Sequence, residues 1–137
     1  MPNLKRNKGI YPLLASNGIS DNVDIYNAEN VVAFGCRGTI GNVFYQQGKC
    51  FVLNTAFYLT DNKRYGNLFY ALIYENGLTS YHSGAAQPQI TLDAIKDVVL
   101  LLPNDNDLNK YLDLMSTYDS IINKLKSIKL ALLNKYF

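Results

Sequence analysis

The sequence predicts an α+β protein, a small mixed α/β globule with a twisted sheet followed by one long coiled-coil helix. Three observations carry this. Apolar runs rich in β-branched and aromatic residues, broken by Gly, Asn and Asp, recur through the first sixty or so residues. Two later stretches keep helical spacing. From Asn104 to Phe137 there is neither Gly nor Pro. A length of 137 residues favours a domain of ordinary size, and 48% hydrophobic against 18% charged residues is enough to bury a core. The boundary falls after Pro103, with a globule over 1–103 and a helix over 104–137.

The elements follow in order. "YPLLASNGISDNVDIYN" reads as loop with short strands, with turn signals at Asn17-Gly18 and Asp21-Asn22. "NVVAF" and "NVFYQQ" are strands by composition, and "CFVLNTAFYLT" is one strand or two. Asp61-Asn62-Lys63 is a turn. In "YGNLFYALIYENG" the apolar residues Leu68, Phe69, Leu72 and Ile73 have helical spacing, and Gly77 stands where a helix ends. "SYHSGAAQPQI" is a loop. "TLDAIKDV" is a short helix capped by Thr91 with Asp93 in its first turn. "VVLLLP" is a strand closed by Pro103.

The last element is a single helix from about Asp107. Leu108, Tyr111, Met115, Tyr118, Ile122, Leu125 and Leu132 alternate at three and four residues, with Lys129 interrupting the seam. Leu112, Leu114, Ile121, Ile128 and Leu133 widen the stripe. Thirty helical residues span on the order of 45 Å, longer than a small domain needs. The stripe either packs back on the sheet or pairs with another helix; the second reading leaves less of it uncovered.

Several function classes are excluded. Cys36, Cys50 and His82 are too few and too poorly spaced for a structural zinc site, and no metal or cofactor is implied. "MPNLKRNKGIYPLL" lacks the apolar stretch of a signal peptide, and no run is long enough to span a membrane. The expected setting is a reducing cytoplasm. Thr39, Ser83 and His82 with any Asp make no catalytic constellation. Net charge is only +2, but Lys5, Arg6 and Lys8 crowd the start and Lys124, Lys126, Lys129 and Lys135 the end. Eleven tyrosines suit interfaces as well as cores, although AT-rich coding sequence also produces such a composition.

"VVAFGCRGTIGN" is the least ordinary stretch. A phosphate loop needs Lys after its last glycine, which Gly35–Gly41 lacks. A dinucleotide fingerprint must open a helix, whereas "NVFYQQ" has strand composition. What remains is a strand-turn-strand with glycines at positive φ. Its tip carries Arg37 and Thr39. A guanidinium, a hydroxyl and exposed backbone N–H groups grip phosphate oxygens, and arginine also forks onto guanine O6 and N7.

"YPLLASNGIS", "VVAFGCRGTIGNVFY", "NTAFYLT", "SGAAQPQITLDAIKDVVLLLP" and the closing helix, in this order, resemble the specificity subunit of type I restriction-modification systems. The resemblance covers nearly the whole chain. It implies a target recognition domain that reads half of a bipartite DNA site and catalyses nothing. It also implies a spacer helix that sets the distance between half-sites and docks the modification (methyltransferase) subunits of a complex that includes restriction subunits. A full subunit has two recognition domains and two helices; this chain has one of each and lacks the strand-rich opening before "YP". It therefore looks like a half-subunit, working by self-pairing or by pairing with another specificity-subunit helix, or else a remnant acting through its helix alone.

The candidate contacts to double-stranded DNA are Ser16, Asn17 and Gly18 in one loop, Arg37, Gly38 and Thr39 in the glycine turn, and Tyr81, His82, Ser83 and Gln87 in a third. Lys5, Arg6 and Lys8 would add phosphate contacts without sequence information. The helix–helix interface would be Leu108, Tyr111, Met115, Tyr118, Ile122, Leu125 and Leu132.

Overall fold

The computed structural model describes residues 8–59, 65–83 and 86–137, the side chain of Ser83 excepted. The turn expected at Asp61-Asn62-Lys63, and Lys5 and Arg6, lie outside them. Contacts divide the chain into two compact units, the first ending at Leu101 and the second running from Leu102 to Phe137.

The first unit is built on a five-stranded mixed sheet. Its strands are β1 (Tyr11–Ala15), β2 (Gly18–Val23), β3 (Ala28–Gly35), β4 (Val43–Val52) and β5 (Ala56–Leu59), in the order β2-β1-β4-β3-β5. Only β1 and β4 run parallel, pairing Leu13 with Phe51 and Leu14 with Val52. β1 and β2 form a hairpin whose Ala15–Gly18 pair closes on Ser16 and Asn17. Neither loop residue takes a positive φ; Gly18, which follows them, does at 110°, so the glycine ends the turn rather than lying within it. Asp21-Asn22 is not a turn. Both residues lie in β2, opposite Leu13 and Pro12, beyond a bulge at Ser20 where the register shifts by one; pairing with β1 there overrides their turn preference.

β3 carries the core on both faces, as period-two geometry requires. Val31 and Ala33 join Leu14, Cys50, Val52 and Ala56, so the ends of β1 and β4 pack over the same face as β5. Val32 and Phe34 point the other way, into a cluster with Cys36, Ile73, Leu78 and Ile90. The register between β3 and β4 slips at Asn30, which has φ 49°; Asn30 Oδ1 accepts from the Gly48 N–H at 2.9 Å, and Gly48 has φ 78°. This bulge bends β4, whose first part pairs with β3 and whose end pairs with β1. Asn27 extends the β3 side: its amide donates to Val52 O at 3.0 Å and accepts from Val52 N at 2.8 Å. "CFVLNTAFYLT" thus resolves into the end of β4, a turn at Leu53–Thr55, and β5.

The second face of β3 is covered by α1 (Gly66–Asn76) and a 3₁₀ turn at Leu78–Tyr81. Gly77 ends α1 in the left-handed conformation at φ 70°, donating to Ile73 O. The stretch expected as loop is partly sheet: β6 (His82–Ser83) pairs antiparallel with β7 (Gln89–Ile90). Then α2 (Leu92–Ile95) starts on Thr91, whose hydroxyl accepts from Ala94 N at 3.3 Å.

Val98–Leu102 is not a strand. Its composition suits one, but a strand needs a free sheet edge beside it, and no described strand pairs with it. Val98 N instead turns back to Ile95 O at 3.0 Å, Leu100 packs on the Phe34 cluster, and Val99 and Leu101 stay 75% and 84% exposed.

The second unit is α3 (Asp105–Tyr136), 32 residues and about 48 Å long. It starts two residues before the expected Asp107 because Asn104 caps it, accepting from Asp107 N at 3.0 Å. Leu112 is buried and Leu108, Tyr111 and Met115 are half-buried. Tyr118, Ile122, Leu125 and Leu132 of the seam and Ile121, Ile128 and Leu133 beside it are all exposed.

Candidate nucleic-acid interface

The glycine stretch connects β3 to β4 as a strand-turn-strand. Gly38 and Gly41 take φ 75° and 76°, a region other residues rarely adopt. Gly35 N donates to Asn42 O at 2.9 Å, and Gly41 N to Gly35 O at 2.8 Å, closing the base of the turn. Gly35 is needed for a different reason. A Cβ there would run into the backbone carbonyls of Thr39 and Ser16, so only glycine lets the β1–β2 hairpin tip lie against this turn. A Cβ at Gly41 would run into Thr79, which places the 3₁₀ turn against the opposite side.

Besides the 3₁₀ turn, three segments converge on Gly35–Gly41. Ser16 sits beside Gly35 and Gly38. The β4–β5 turn is held from below: Cys36 N and Arg37 N both donate to Thr55 O, at 2.9 and 3.2 Å. β7 is held alongside: Ile90 N donates to Cys36 O at 2.8 Å, and Arg37 bridges Gln89. Cys36 beneath is 1% exposed; burial pushes its thiol up from the ordinary value, and the neighbouring Arg37 guanidinium offsets part of that.

This wiring changes one expectation. The N–H groups of Gly35, Cys36, Arg37 and Gly41 are spent inside the protein. They do not form an open phosphate cradle. The side chains remain available: Arg37 and Thr39 are exposed, and the Arg37 head has no partner among the described residues.

The other candidates distribute as follows. Ser16 is half-buried at the hairpin tip, Asn17 is exposed beside it, and Gly18 opens β2 at φ 110°. His82 and Gln87 are exposed. Tyr81 is half-buried, its ring packed on the Phe34 cluster. Ser83 pairs through its backbone with Gln89. The glycine turn therefore meets the first candidate loop through Ser16 and the third through Gln89 and Ile90.

Sequence reasoning missed two residues. Arg37 opens onto a recess of about 450 Å³ lined also by Asn54, Phe57, Gln89, Ile90 and Asp93. Asn54 lay inside a stretch of strand composition, although Asn54-Thr55 between two apolar runs is a turn signal. Gln89 had no local signal; only its bridge to Arg37 brings it here. Among the described residues no cluster of His, Cys, Asp and Glu could hold a metal, and no helix is long and apolar enough to cross a membrane.

Comparison with known proteins agrees with the architecture. The profile of the type I restriction modification DNA specificity domain matches residues 2–134. The fold is similar to the crystal structure of a type I restriction-modification system S subunit from M. genitalium. The TM-score is 0.65 at 17% sequence identity, covering 88% of this chain and 34% of that one. At that identity the likeness is one of fold, and this chain spans about a third of that subunit's length. A comparison with curated proteins returns no significant match.

Proposed function

Because the chain belongs to the type I restriction-modification DNA specificity domain family, we propose that its first unit reads a half-site in double-stranded DNA without catalysing any reaction. The observation that carries this reading is Arg37. Its backbone is fixed on both sides, by Thr55 O and by the bridge to Gln89, while its head is exposed and unpartnered among the described residues. A guanidinium carried on a fixed backbone and left unpaired suits a ligand with paired acceptors, as guanine presents in the major groove.

α3 would then serve as spacer, docking the modification subunits and pairing with a second copy of this chain or with another specificity-subunit helix. Its charges favour an antiparallel pair. Asp105, Asp107, Asp113 and Asp119 accompany only Lys110 in its first half; Lys124, Lys126, Lys129 and Lys135 fill the second, with no acid. Running two copies antiparallel sets acidic half against basic half, while running them parallel sets like on like. Such a two-fold pair of half-readers selects a palindromic bipartite site.

The test is selection from random duplex pools by the purified chain, alone and with its modification subunit, at two salt concentrations. The reading expects an enriched bipartite palindrome that Arg37→Ala abolishes. A second reading rests on the exposed stripe from Tyr118 to Leu133: an interaction module that needs no DNA. It expects no enrichment and self-association unaffected by Arg37→Ala. Sedimentation of a chain ending at Pro103 tests the helix separately, since a dimer without α3 would refute the pairing.

A further inference from the structure

We propose that Arg37, Asn54 and Gln89 form one base-reading recess, with Arg37 taking guanine and the two amides taking adenine in neighbouring base pairs; this rests on the DNA-recognition reading above. The backbone sets the three residues in a row. Arg37 N donates to Thr55 O, which puts the Asn54-Thr55 turn on one side of Arg37, and the bridge to Gln89 puts β7 on the other. All three residues are exposed and line the same recess, and none of their heads has a partner among the described residues.

The lining decides what chemistry enters. A phosphate would want several cations or open backbone N–H groups. Here the N–H groups of Cys36, Arg37 and Ile90 are engaged; those of Leu92 and Asp93 at the start of the single-turn α2 have no acceptor among the described residues, but Arg37 is the only cation in the lining, and Asp93, paired with Lys96 at 3.6 Å, belongs to the same wall. Two amides beside a guanidinium offer donors and acceptors together, the pattern that matches purine major-groove edges. Phe57 and Ile90 give the recess an apolar part suited to a base edge or a thymine methyl.

The experiment uses the full chain with its modification subunit and random duplex pools, followed by titration of the selected duplex and its single-base variants at several salt concentrations. Asn54→Ala and Gln89→Ala are each expected to lose about tenfold discrimination at one adenine-containing pair. That pair should lie within two base pairs of the guanine at which Arg37→Ala loses discrimination. The salt slope should stay as in wild type, because no phosphate contact is removed. Gln89→Glu, which exchanges the amide donor for an acceptor, should move the preference at its pair from adenine towards cytosine. If wild type selects a sequence and both amide variants select the same one with the same discrimination, the recess proposal is wrong and the DNA reading stands. Uniform weakening on every sequence, with no loss of discrimination at any pair, would also overturn it, making these phosphate contacts. If wild type selects nothing in either form, the DNA reading falls and the proposal falls with it.

Discussion

Replacing Gly35 by alanine should disrupt the candidate interface more than any other single methyl added to the glycine turn. The added Cβ meets two backbone carbonyl oxygens, those of Thr39 and Ser16, rather than movable side-chain ends. The residue itself is clamped, since its N–H donates to Asn42 O at 2.9 Å and its carbonyl accepts from Gly41 N at 2.8 Å. Relief requires the hairpin tip to move away or the turn to open. Overpacking of this kind costs about 1–3 kcal/mol, and one lost hydrogen bond adds about 1 kcal/mol. A total of about 3 kcal/mol corresponds to a fall of about 12–24 °C in Tm for a unit of this size. Gly48→Ala is the control: φ there is 78° but no atom lies within 4 Å of the new Cβ, so only the left-handed penalty of about 1–2 kcal/mol applies. Thermal unfolding followed by tyrosine near-UV circular dichroism compares the two. Gly35 itself is not in the left-handed region, so its whole loss is the clash; a loss for Gly35→Ala no larger than that for Gly48→Ala would refute the reasoning.

Three further perturbations probe the first unit. The Thr55 hydroxyl is buried without a hydrogen-bond partner among the described residues, so Thr55→Val, which keeps the shape, should raise stability by about 1 kcal/mol in a denaturant titration. Asn27→Ala removes both bonds to Val52 and should lower stability by about 2 kcal/mol in the same assay, with a faster unfolding rate. Burial pushes the Cys50 thiol from 9.0 up to about 11. The folded state therefore holds that proton where the unfolded state has lost it, and Cys50 contributes a loss of stability as pH rises from about 9 through 11. Cys50→Ala should flatten that part of the stability profile. An unchanged alkaline slope would show that other groups set it.

Local signals read well wherever the outcome is local. Asn17-Gly18 marks the hairpin turn, Gly77 takes the left-handed end of α1, Thr91 caps α2, and the absence of Gly and Pro after Asn104 gives α3 in one piece. The misses have a common cause, which is that pairing is not local. Asp21-Asn22 has turn composition, but pairing with Leu13 and Pro12 of β1 makes it strand. Val98–Leu102 has strand composition, but no described strand pairs with it. The site divides the same way. Arg37 and Thr39 stand out within seven residues of glycine-rich sequence. Gln89, 52 positions on from Arg37, joins them only because Cys36 O accepts from Ile90 N.

The same wiring separates folding from recognition residue by residue. β3 is buried on both faces, so this part of the sheet offers no open surface to a large ligand. Contact is left to what the strand ends present, and there the backbone is already committed: Gly35, Cys36, Arg37, Gly41 and Ile90 all donate their N–H groups inward. Substituting Gly35 or Gly41 moves neighbouring segments and should degrade stability and DNA binding together. The heads of Arg37, Asn54 and Gln89 hold nothing in place among the described residues, so their removal should leave Tm within about 2–4 °C, as for a surface change. Any loss of binding they cause is then a loss of contact rather than of fold. Arg37→Ala that lowered Tm as far as Gly35→Ala would break this separation. It would make the arginine a structural strut, and the case for a free guanidinium waiting for a base would go with it.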